Sequence, residues 1–73
     1  KNSAKNKSLM NLQREYLENT LAKIDQMLAL AEEVVGITDE DLFNKYCEQI
    51  KKIEAEADAN YKIACDIENV IKR

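Results

Sequence analysis

The stretch from Phe43 to Ile71, FNKYCEQIKKIEAEADANYKIACDIENVI, sets Phe43, Tyr46, Ile50, Ile53, Ala57, Asn60, Ala64, Ile67 and Ile71 at alternating spacings of three and four. Residues so spaced fall on one face of a helix, so the run predicts a seam packed against another helix. One polar residue, Asn60, interrupts it. Nothing inside the run breaks a helix, because the chain has no proline and its single glycine, Gly36, lies upstream.

The same alternation runs through Met10, Arg14, Leu17, Leu21, Ile24, Leu28, Ala31 and Val35 and predicts a first helix over residues 8–35. Gly36 is expected to close that helix in the left-handed conformation. Thr38 is the hydroxyl N-cap candidate for a second helix over residues 39–71, with Asp39, Glu40 and Asp41 beside its positive end. Residues 36–38 are the turn, and the polar, lysine-rich segment 1–7 is expected to fray.

A connection this short forces the helices antiparallel. The predicted fold class is therefore all-α: one domain, an antiparallel two-helix coiled-coil hairpin. With the turn centred on Ile37, Leu28 faces Tyr46, Ile24 faces Ile50, Leu17 faces Ala57 and Met10 faces Ala64. The two polar seam residues, Arg14 and Asn60, then share a layer. Such a layer costs stability but fixes register, so Arg14 and Asn60 are expected to act as a register device, a functional site being the alternative.

Two facing helices bury one stripe apiece, and this chain has more apolar residues than two stripes hold. Leu9, Leu12, Tyr16, Met27, Leu30, Ile63 and Val70 lie outside the predicted seams. A chain of 73 residues makes a marginal core by itself. These seven side chains are therefore the candidate contacts for a partner, most simply a second copy that completes a four-helix bundle. Scattered surface apolars on a long rod are the alternative.

The net charge of −3 conceals an asymmetry. Residues 1–14 and 60–73 carry seven bases against two acids, a net +5, whereas residues 15–59 carry twelve acids against four bases, a net −8. The open end of the hairpin is basic and its tip acidic. Lys1, Lys5, Lys7, Lys62, Lys72 and Arg73 are thus the candidate contacts for an anionic ligand such as nucleic acid. Solvation of helix faces and helix dipoles offers a simpler account of the same charges. Three Tyr, one Phe and no Trp give little material for a base-stacking platform.

Histidine is absent, which removes triad bases, imidazole metal ligands and phosphohistidine relays. Pairs such as Glu15 with Glu18 sit one turn apart but lack the histidines of di-metal helical sites. Cys47 and Cys65 lie eighteen residues apart, roughly 27 Å along one helix, too far to bridge within it. They read as reduced packing residues of an intracellular protein, an intermolecular disulfide being the alternative. The match Asn6-Lys7-Ser8 to a glycosylation sequon is read as chance.

In outline the hairpin is similar to the two-helix aspartyl-phosphate phosphatases of sporulation, which carry a Ser-Gln-Glu-Leu-Asp run early in helix two. Here the corresponding stretch is Cys47-Glu48-Gln49-Ile50-Lys51, and Lys51 stands where that family has its essential acid. The likeness stops at architecture. The chain is read as non-enzymatic, with no cofactor and no metal.

No stretch approaches the roughly 20 apolar residues of a membrane span, and no apolar block follows the basic start. The chain begins at Lys1, so a fragment or processed product is expected. Taken together, the sequence predicts a protein-protein interaction or oligomerisation module, cytoplasmic, whose partner is a second copy or another helical protein. A nucleic-acid-binding arm and a small regulatory inhibitor of an enzyme are the alternatives.

Overall fold

The computed structural model describes residues 3–73. They form two helices, α1 (Ser3–Val34) and α2 (Glu40–Lys72), packed side by side and antiparallel, with no strand among the described residues. Measured over Cα atoms, the hairpin is a rod 59 Å long and 14 by 11 Å across. α1 begins at Ser3, so the described part of the 1–7 segment is helical rather than frayed. Ala and Lys are good helix formers, and this polar extension runs along solvent.

The turn differs from expectation in both of its caps. Gly36 donates its N–H to the Glu33 carbonyl at 3.3 Å and Ile37 donates to Val34 at 3.1 Å. These bonds span three residues and tighten the last turn of α1. Gly36 has no positive φ, so the predicted left-handed closure is not used. The N-cap of α2 is Asp39 rather than Thr38: its backbone is extended, and its carboxylate accepts the Asp41 N–H at 3.1 Å. A carboxylate supplies negative charge as well as an acceptor at the positive end of a helix, an advantage that a hydroxyl lacks.

The inward stripe of α2 is the one the sequence predicts. Tyr46, Ile50, Ile53, Ala57, Asn60, Ala64, Ile67 and Ile71 are all at least half-buried, and only Phe43, beside the turn, is exposed.

The inward stripe of α1 is not. Leu9, Gln13, Tyr16, Thr20, Lys23, Met27, Leu30 and Val34 are half-buried or buried, again at spacings of four and three. Each lies one residue before a position of the expected seam, which amounts to rotating α1 by about 100°. Of the expected seam, only Ala31 is half-buried. Met10 is 55% exposed, Leu21 62% and Leu28 58%, and Arg14, Leu17, Ile24 and Val35 are exposed as well.

Polar contacts across the interface fit this rotation. The Gln13 side-chain amide donates to the Ala64 carbonyl at 3.3 Å and to a Glu68 carboxylate oxygen at 2.8 Å. Lys23 Nζ lies 3.2 Å from Glu56 Oε1. Ala64 thus faces Gln13 rather than Met10, and the pairing slides by three residues from the expected register. Moving seven residues along each helix sets Thr20 level with Ala57, and both are buried.

Size explains the fit. Ala57 and Ala64 let the backbones approach closely where Thr20 and Gln13 lie opposite. Thr20, only 8% exposed, satisfies its hydroxyl by donating to the Tyr16 carbonyl at 2.8 Å. Thr20, Ala57, Ala64 and Ile67 are the only well-buried side chains among the described residues. A core so thin leaves most of the apolar surface of α1 in water.

Candidate interaction surface

Each side of the hairpin carries an open groove between the helices. On one side Leu17 of α1 meets Tyr61 and Cys65 of α2, with Gln13, Ala64 and Glu68 at the floor and rim. Met10, Leu21, Ile24 and Leu28 continue that side along α1 at helical spacing, so an apolar stripe runs roughly 27 Å along the rod, a little under half its 59 Å length. Arg14 is the one charge within it, and Glu18, Asp25 and Glu32 run along its outer edge, all exposed. On α2 the same side carries Lys51, Glu54 and Asp58.

The other groove is lined by Gln26, Ala29 and Leu30 of α1 and by Gln49, Lys52, Ile53 and Glu56 of α2. The Lys23–Glu56 ion pair lies beside it. Near the tip, the Tyr46 phenol is raised above its usual pKa, first by a hydrogen bond to the Glu33 carboxylate and then by that group's negative charge.

The residues singled out in the sequence fall in three places. Leu9, Tyr16, Met27 and Leu30 are half-buried on the inward stripe of α1, so they are core contacts of the hairpin and not a free face. Leu12, Ile63 and Val70 are exposed, at 42%, 39% and 45%. Asn60 is half-buried in the interface whereas Arg14 is exposed, so the two do not form a polar layer. Tyr16 lies level with Asn60 in the observed register.

On α1, Gln13, Thr20 and Lys23 are the polar residues that do sit between the helices. A sequence signal for them existed: they complete the heptad phase of Leu9, Tyr16, Met27 and Leu30. Three polar members among eight made that phase look like the poorer seam.

Of the candidate anionic-ligand contacts, Lys5, Lys7, Lys62, Lys72 and Arg73 are exposed, and Lys72 Nζ lies 3.7 Å from Glu68. Lys1 is outside the described residues. Cys47 is half-buried and Cys65 exposed, both as free thiols. Among the described residues no three acidic, Cys or His side chains converge as a metal site would need, and no helix is long and apolar enough to cross a membrane.

No known protein family, curated protein or solved structure matches this chain. Its surface must therefore be interpreted from its own chemistry. That surface offers an apolar stripe edged with charge and two open grooves, and among the described residues no cluster of metal-ligating groups converges there.

Proposed function

We propose that this hairpin is a non-enzymatic protein-protein interaction and oligomerisation module that works by burying the outward stripe of α1 against other helices. The observation that carries this reading is the inversion of α1. Met10, Leu17, Leu21, Ile24 and Leu28 are exposed, while the hairpin's own interface uses Gln13, Thr20 and Lys23. Burying a side chain such as Leu or Ile is worth about 1.5–3 kcal/mol, so a stripe of five supports a partner surface well above scattered exposure. A module of this kind need only fold as a two-helix stem and be completed by what it binds, as helices of a four-helix bundle complete one another.

The test is Leu21→Glu combined with Leu28→Glu. Neither residue is buried, so helicity by circular dichroism should be unchanged. Association should be lost in two settings, the purified chain and the tagged chain in its native cells. The reading is wrong if the double substitution alters association in neither.

A second reading rests on the antiparallel arrangement, which gathers Lys5, Lys7, Lys62, Lys72 and Arg73 toward one end. That end would approach an anionic polymer. Binding of duplex or single-stranded nucleic acid at low salt, where counterion release favours it most, is its requirement, and no binding there removes it.

A further inference from the structure

We infer that the outward stripe of α1 docks on the same stripe of a second copy, with the two hairpins lying tip to tail about a two-fold axis that crosses the rod near its middle. This rests on the interaction-module reading and names its partner and geometry.

The first support is self-complementarity. Reversing the stripe onto itself sets Met10 against the partner's Val35, Leu17 against the partner's Leu28, and Leu21 against the partner's Ile24. Arg14, the single charge in the stripe, then lies over the small partner's Ala31 with the partner's Glu32 beside it. The long cation gains both room and a counter-ion. The observed pairing of α1 with α2 brings the same axis past Glu54 and Ala55, and Lys51 falls opposite the partner's Asp58. The Glu54 carboxylates nearest the axis stay within one turn of Lys51.

Charge along the rod is the second support. In α1 the charges oppose its own dipole: the first turn has no acid and the last turn no base, with Lys5 and Lys7 near the start and Glu32 and Glu33 near the end. That arrangement destabilises a lone helix. In a tip-to-tail pair it becomes favourable, because Lys5 and Lys7 reach the partner's turn with its Asp39, Glu40 and Asp41. A parallel pair would stack basic end on basic end and acidic tip on acidic tip, so the charges select the antiparallel arrangement.

Area is the third. One whole face of the rod, 59 Å by 14 Å between Cα atoms, outlines on the order of 800 Å², so docking along its full length leaves room for the ~800 Å² per partner of a standard stable interface. A two-fold axis makes each patch its own complement, the commonest form of oligomer.

The two native cysteines test the orientation. In the antiparallel pair Cys47 lies about three residues, or ~5 Å along the axis, from the partner's Cys65, while the two Cys65 thiols stand roughly 30 Å apart. Light scattering of the purified chain at micromolar concentration should give the mass of a dimer. A short bis-maleimide should give a covalent dimer on a denaturing gel, and both Cys47→Ser and Cys65→Ser should abolish it. Leu21→Glu should raise the dissociation constant at least ~100-fold with helicity retained.

A covalent dimer that persists in either single-cysteine variant, or a dimer that gives no Cys47–Cys65 product, overturns the arrangement. A strictly monomeric mass overturns self-pairing itself. In that case the interaction-module reading still stands or falls separately, on whether Leu21→Glu with Leu28→Glu alters association in cells.

Discussion

The two stripes of α1 carry opposite lessons. The inward one, from Leu9 through Gln13, Thr20 and Lys23 to Val34, is the more polar and is held against α2, whereas the outward one, from Met10 through Leu21 to Leu28, is the more apolar and faces water. Burial in a two-helix hairpin is therefore set by fit to the opposing helix as well as by hydrophobicity. Small residues at Ala57 and Ala64 and the amide of Gln13 decide which stripe is taken. The outward stripe keeps its apolar surface exposed.

This contrast is broken most strongly from the inside. Ile67→Ala removes the largest of the well-buried side chains and should destabilise the hairpin by about 2–3 kcal/mol in urea denaturation, toward the low end for core truncations because the core is thin. The same loss should be seen at every protein concentration. Leu21→Ala on the outward stripe should instead act only at concentrations where chains associate. Equal effects of the two at high dilution would erase the distinction between the stripes.

Neighbouring residues sharpen it next. Gln13→Ala deletes the hydrogen bonds to Ala64 and Glu68 and should cost about 1 kcal/mol. Arg14→Ala, one position along, should stay within ~0.5 kcal/mol in the monomer. A reversed order would mean that α1 is rotated back to the seam the sequence suggests.

Gly36→Ala should stabilise by about 0.4–1 kcal/mol. The glycine has no positive φ, and a Cβ there meets only the Glu33 carbonyl at 4.0 Å. Loss of stability would instead restore the left-handed cap.

The smallest effect belongs to Tyr46. A phenol whose pKa is raised by folding contributes stability that is complete below its unfolded pKa of about 10 and is lost as pH rises through the folded value. Tyrosinate absorbance should show Glu33→Gln lowering the Tyr46 midpoint. No change in that midpoint would remove Glu33 from the site.

Much of this molecule was legible in the sequence. The α2 seam could be read because only one phase of that helix carries apolar residues at every turn but that of Asn60, with Leu42, Tyr61, Ile63 and Val70 scattered outside it, so periodicity and burial agree. In α1 the apolar arc spans two adjacent phases, and periodicity locates an arc without saying which edge of it turns inward. The caps were misplaced by small margins for a related reason: Thr38 and Asp39 are both competent N-caps, and a glycine after a helix permits the left-handed conformation without requiring it. The outward stripe is present in the sequence as a seam, and α2 does not cover it.

By itself the sequence determined two long helices, one tight turn and an antiparallel hairpin, because heptad spacing, helix-forming composition and a single short break leave no other way to bury a stripe from each helix. Only the tertiary structure decided which stripe of α1 that is. The choice depends on side-chain volumes and hydrogen bonds meeting across the interface, at Gln13 with Ala64 and Thr20 with Ala57, and these are properties of a pair of helices that neither helix holds alone.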